Sequence, residues 1–191
     1  MTTREGPIKS IAHGAGIGQL AVLRSAQTLD QTFPRQSCFR ASEAEISKGF
    51  HEALRAALQR WQLETGHALR FWLRGYCACF AATLVKFIGE PASLSSVVAS
   101  DGNVHHIVVV LCDLVIDARG VNTRKSLLAE INREAEASDS SLRAVDIIPF
   151  ELQHERLLKE CPDNEAKTLR ACLNTPAMRC IRRRIRIVAS G

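Results

Sequence analysis

Val104-His105-His106-Ile107-Val108-Val109-Val110-Leu111, then Cys112-Asp113, then Leu114-Val115-Ile116-Asp117, decides the fold. Two apolar, β-branched runs flank a short polar break, which is the pattern of a β-hairpin. With Cys112-Asp113 as a two-residue turn, Leu111 faces Leu114 and Val108 faces Asp117. Side chains alternate along a strand, so His106 shares a face with Val108. It is then the diagonal neighbour of Asp117, at roughly 7–8 Å between backbones and within side-chain reach. A four-residue loop gives the same register. A three-residue turn would reverse the faces and bring His105 forward instead. The alternation and the short turn agree on His106.

Working outward, Leu94–Ala99 and the turn Asp101-Gly102-Asn103 complete a three-stranded meander. Upstream, Gly75 breaks the chain, and Cys77–Ile88 reads as an apolar helix with Gly89 at its C-cap and Pro91 beyond. Ser42-Glu43-Ala44-Glu45 fits a capping box, and Ile46, Phe50, Ala53, Leu54, Ala57, Leu58 and Trp61 follow at helical spacing. A helix is predicted over about 43–62, while 67–74 fits no single pattern. Downstream, Asn122 or Thr123 caps a helix to about Ala137, and Ser138–Ser141 is a polar loop. Val145–Ile148 is a short strand, and helices are expected over about 151–160 and 163–173. Arg184-Ile185-Arg186-Ile187-Val188 alternates as a half-buried strand does. The expected class is α+β. Helices pack on an antiparallel sheet built from 94–117, extended by 144–148, with 184–188 as a further candidate strand.

A chain of 191 residues supports one domain with a sizeable core. Residues 1–40 are rich in Gly, Ser, Thr and Gln and read as a flexible leader, with a short helix fitting Leu20–Leu29. Its His13-Gly14-Ala15-Gly16-Ile17-Gly18 is not a dinucleotide fingerprint. Residues 41–191 form a single domain with a basic C-terminal segment, and no repeat or linker divides them. The apolar share of 46% is globular, and no run approaches the roughly 18 residues of a membrane span. Met1-Thr2-Thr3-Arg4-Glu5-Gly6-Pro7 lacks the features of a secretory signal, so cytoplasmic residence is expected, with signal-less export left open. Seven cysteines, an odd number without framework spacing, suggest a reduced protein with mostly buried thiols. The net charge of +5 owes much to Arg179 and Arg182-Arg183-Arg184-Ile185-Arg186. No aromatic residue interleaves this cluster, which disfavours nucleic acid and favours a solvated strand or tail.

The chemistry lies in an ordered trio: Cys77, His106 and Asp117. A thiolate is the working nucleophile, and a helix N-terminus stabilises it through unpaired N–H groups and the dipole. Cys77 stands at such a start. An imidazole activates the thiol as a base or as the cation of an ion pair, and a carboxylate fixes the imidazole. Cys79 points about 200° away round the helix, so both thiols cannot face one imidazole. Taken singly, each residue has an ordinary reading: an inert buried thiol, a strand-edge histidine, a turn aspartate. Cys77-x-Cys79 with His105-His106 also offers four zinc ligands, although neighbouring strand histidines point opposite ways and the spacing is no common finger. A third reading is a non-catalytic interaction module using the basic segment. The thiol chemistry requires no cofactor and takes a protein or peptide-like substrate. The sequence does not set the oligomeric state.

The order of Cys at a helix start, His on a strand and Asp on the next strand resembles the papain-like cysteine hydrolase fold. More closely it resembles small bacterial and phage-borne proteins with a Gly-x-Cys-x-x-Phe-Ala-x-x-Leu helix, a His-Val-Val-Val-type strand and an Asp-Ala-x-Gly strand end. The matching residues are Gly75, Cys77, Phe80, Ala81 and Leu84, then His106–Val110, then Asp117, Ala118 and Gly120. The resemblance covers about 71–135. It implies Cys77 as nucleophile, His106 as base and Asp117 as orienter, acting on an amide as peptidase, amidase, deamidase or transglutaminase-like enzyme. The chain departs in placing Cys79 where such proteins often carry a polar residue. It also lacks an obvious oxyanion side chain; Gln59 and Gln62 lie upstream without an assigned place.

Overall fold

The hairpin closes in the register its turn dictates: Leu111 pairs with Leu114, Val110 with Val115 and Val109 with Ile116. The computed structural model describes residues 43–138, 140–141, 143–150 and 162–189. The leader, the 20–29 helix, Ser42 of the capping box and the 151–160 helix lie outside these. The elements are α1 (Glu43–Thr65), α2 (Arg70–Leu73), α3 (Cys77–Ile88), β1 (Ser93–Ala99), β2 (Val104–Leu111), β3 (Leu114–Asp117), β4 (Gly120–Thr123), α4 (Arg124–Ala137), β5 (Ala144–Pro149), α5 (Asp163–Leu173) and α6 (Pro176–Ala189). The class is α+β. The five strands run β4-β3-β2-β1-β5, each antiparallel to its neighbours.

Both faces of the sheet are covered, which explains why β2 reads as a nearly continuous apolar run. Ile107, Val109 and Leu111, with Ile116, pack on one face against Phe50, Leu54 and Leu58 of α1, Leu84 and Ile88 of α3, and Leu169 of α5. Val108 and Val115 turn to the other face with Val97 and Ile147, where Leu127 and Ile131 of α4 cover them. The alternation of β2 thus divides one strand between two cores.

Two elements depart from the sequence reading. β4 was expected to be part of a helix cap. Gly120–Thr123 instead pairs with β3 before Thr123 caps α4, its hydroxyl accepting from the Ser126 N–H at 3.2 Å. The strand expected at 184–188 is the end of helix α6. Its alternation is outweighed by Met178 and Ile185, each 1% exposed, with Ile181 half-buried between them. That spacing forms a helical stripe on the α1/α3/α5 core. Ile187, which a half-buried strand would cover, is 65% exposed. The basic cluster therefore rides on a helix, with the Arg182 guanidinium 5.5 Å over the Phe87 ring.

Gly120 is fixed by close packing as well as by its φ of 136°. A Cβ there would stand 2.5 Å from the imidazole of His51 on α1, whose Nδ1 accepts the Val121 N–H at 3.2 Å. Gly120→Ala is expected to lower the unfolding free energy by about 2–4 kcal/mol, measured by urea denaturation. A change below about 0.5 kcal/mol would show that the α1–β4 contact yields freely. No helix among the described residues is long and apolar enough to cross a membrane.

Candidate active site

Rings anchor the approach to Cys77. Residues 67–74, ambiguous in sequence, contain the single turn α2, whose Trp72 is fully buried. Trp72 packs 4.8 Å from Trp61 of α1, and Phe71 stacks on Tyr76 at 4.5 Å between centroids. Gly75, at φ 110°, supplies the left-handed residue that turns α2 into α3. Tyr76 is the N-cap of α3 and makes no side-chain cap, so the first N–H groups of the helix face the site unclaimed by it. Cys77 is the first helical residue and is half-buried.

Cys79, two residues on, is 2% exposed and disulfide-bonded. The expectation of a reduced protein fails there, whereas Cys77, Cys172 and Cys180 carry free thiols. The zinc reading fails on geometry as well. Cys79 is committed to the core, His105 is exposed, and no group of three or more His, Cys, Asp or Glu among the described residues could hold a metal ion.

The structure brings Cys77, His106 and Asp117 together. His106 is 4% exposed and Asp117 1% exposed. The His106 Nε2 lies 3.0 Å from the Asp117 Oδ2, and the thiol of Cys77 is near enough to the same ring for each to act on the other's charge. With Nε2 on the carboxylate, Nδ1 is the nitrogen left for sulfur. β3 pairs only with Val109–Leu111, which leaves the outer side of Ile107 without a strand partner. The N–H groups of Ile107 and Ala78 are near enough to the Cys77 sulfur to favour its thiolate.

These contacts decide the charges. Burial pushes the Cys77 thiol up, but the His106 hydrogen bond and charge and the two N–H groups outweigh it and hold the pKa below the ordinary thiol value. Burial likewise opposes the imidazolium, yet Asp117 and Cys77 together raise His106 to about 9. Asp117 is held low against burial by His106 and Arg119. The Cys77 and His106 shifts both favour the thiolate–imidazolium pair over the neutral pair.

Arg119 is the residue the sequence reading missed. Its guanidinium pairs with the Asp117 Oδ2 and forks onto Glu134 of α4, Nε to Oε1 at 3.0 Å and Nη2 to Oε2 at 2.6 Å. Its backbone N–H donates to the Asp117 Oδ1 at 2.8 Å. Asp117 is therefore both the turn residue of its ordinary reading and the partner of His106, one oxygen for each. Arg119→Met leaves a buried carboxylate with the imidazole and the backbone N–H of residue 119 as its partners. The expected cost at pH 7 is about 2–4 kcal/mol by urea denaturation, against at most about 1 kcal/mol for Glu134→Gln. Asp117 is depressed in the folded state, so its stabilisation is present above the unfolded carboxylate pKa and fades as pH falls through the folded value. The Arg119 variant should lose it at higher pH than the native chain. Equal stability of variant and native chain would show that the guanidinium does not support Asp117.

A cleft of about 710 Å³ is lined by Cys77 and His106, with Arg70, Arg74, Arg119 and Glu134 among its other lining residues. Neither Gln59 nor Gln62 lines it. No family model matches the chain, no curated protein matches its sequence and no solved structure matches its fold.

Proposed function

We propose that this chain is a cysteine-dependent enzyme acting at an amide bond, with Cys77 as nucleophile, His106 as acid and base and Asp117 as orienter. The observation that carries the reading is the buried hydrogen bond between imidazole and carboxylate, with the Cys77 thiol beside that imidazole in an open cleft that Cys77 and His106 both line. The papain-like relationship belongs to the same proposal. It rests on the chain order and on the nucleophile at a helix start facing a sheet.

The chemistry balances with the groups present. The Cys77 thiolate attacks the amide carbonyl carbon and forms a C–S bond, placing negative charge on oxygen. The N–H groups of the first turn of α3 are donors for that oxyanion. The His106 imidazolium gives its proton to the leaving nitrogen as the C–N bond breaks, leaving a thioester. The neutral imidazole then takes a proton from water, whose oxygen bonds to the acyl carbon while the C–S bond breaks. Hydrolysis restores thiolate and imidazolium. An amine acceptor in place of water makes the same site a transferase. Throughout, Asp117 stays ionised and holds the ring.

The test is amine or ammonia release from a mixed peptide and glutamine-amide library, with mass-spectrometric capture of a thioester on Cys77. Release that persists in Cys77→Ala would sink the proposal. Cytoplasmic residence is a companion proposal, supported by the free thiols of Cys77, Cys172 and Cys180 and opposed by the disulfide at Cys79. Cell fractionation decides it: recovery of the chain outside the cytosolic fraction overturns the proposal.

A further inference from the structure

The charges around the cleft do not cancel. Arg119 is engaged by Asp117 and Glu134, and the pair of Cys77 and His106 is neutral as a unit. Arg70 and Arg74 remain. The Arg74 N–H bonds the Arg70 carbonyl at 2.9 Å, which places the two one turn apart, and both residues line the cleft. Neither lies within ion-pair distance of a carboxylate among the described residues. Arg74 is near enough to Glu134 to act on its charge, yet Glu134 accepts its hydrogen bonds from Arg119. Gly75 and Tyr76 alone separate this cationic turn from the nucleophile.

Resting on Cys77 as nucleophile, we propose that the cleft selects amide substrates bearing a carboxylate beside the reactive amide, received by Arg70 and Arg74. Guanidinium suits that role because its planar fork matches a carboxylate with two parallel hydrogen bonds. The same charges, if merely solvated, would keep α2 soluble and select nothing, and the experiment separates these cases.

Iodoacetate and iodoacetamide are nearly equal in size and differ by one negative charge. Each forms a bond from the thiolate sulfur to its methylene carbon as iodide leaves. The rate ratio of iodoacetate to iodoacetamide at Cys77, divided by that ratio for N-acetylcysteine, isolates selection by charge. The full chain at pH 7 and low salt is expected to give about three- to tenfold in favour of the anion, the range for two partly solvated charge contacts. About 1 M salt should abolish most of it. The Arg70→Gln/Arg74→Gln variant should lower the ratio about threefold or more, and Arg70→Lys/Arg74→Lys should largely restore it. An acetylated glutamyl peptide amide should slow iodoacetamide labelling at lower concentration than its glutaminyl or lysyl counterpart. An equal ratio in native and glutamine-substituted chains overturns the proposal and leaves the nucleophile standing. A native Cys77 unreactive toward both reagents removes the nucleophile, and this inference with it.

Discussion

Cys77→Ala should remove amide turnover almost entirely, by a factor of about 10⁴ or more, while the protein melts within a few degrees of the native chain. The two halves of that result have separate causes. Alanine is the best helix former and fits the first turn of α3, and Cys77 is only half-buried, so the expected stability cost is at most about 1–2 kcal/mol. No hydroxyl or second thiol replaces the sulfur at the imidazole, because Cys79 points into the core and is already disulfide-bonded. Cys79→Ala should give the opposite pattern. It loses a cross-link, at a typical cost of about 2–4 kcal/mol, and a buried side chain, yet keeps its thiolate at His106. A stable dead variant at 77 beside an unstable live one at 79 assigns the nucleophile. Reversal of that pattern names the other thiol. If Cys77→Ala unfolds and no variant turns over substrate, the trio is a buried polar network and nothing more.

Alkylation of Cys77 should persist at pH values where ordinary thiols are almost silent. A free thiol near pKa 8.5 is only about 0.3% thiolate at pH 6. Cys77 has a depressed pKa, so its thiolate survives as pH falls until that lower value is reached. His106 is raised to about 9, so the imidazolium persists as pH rises until then. Both shifts widen the range of pH over which the ion pair is populated. Its limits are properties of the coupled pair and not of either residue alone. At pH 6, iodoacetamide should label Cys77 at least about tenfold faster than a free cysteine peptide. The advantage is smaller than the thiolate fractions suggest, because a less basic thiolate is a weaker nucleophile. It should shrink toward parity by about pH 9 to 10, as free thiols ionise and the imidazolium loses its proton. His106→Ala should abolish it at pH 6. A labelling rate at Cys77 that climbs with pH just as the free peptide does, in native and variant alike, would mean no ion pair exists.

Much of this arrangement was legible in the sequence because it depends on period and turn length. The apolar spacing from Ile46 to Trp61 could bury one face only as a helix, and α1 forms there. Cys112 takes φ 53° in the hairpin turn, and the two-residue length sets which histidine meets Asp117. The misses have physical reasons too. Gly120–Thr123 is four residues with little apolar content, and it becomes a strand because β3 offers it an edge. Residues 184–188 carry a true alternation, but the decisive neighbours lie upstream at Met178 and Ile181. Arg119 was hidden because its role depends on where α4 lies. A guanidinium two residues beyond an aspartate in a turn gives no local sign that Glu134 will meet it. The disulfide at Cys79 was invisible for the same kind of reason, since pairing follows from the fold and not from spacing.

The position of β2 has a consequence for how the site can fail. It is the middle strand of five, with two neighbours on either side. His106 thus belongs to the part of a domain that opens last, since strands fray from the sheet edges inward. Amide protons around Val109 and Val110, held between β1 and β3, should exchange only through global opening, so the strand that carries the imidazole is secured by the free energy of the whole domain and not by that of a loop. Partial denaturation ought to show no regime in which the fold persists while thiol and imidazole have drifted apart.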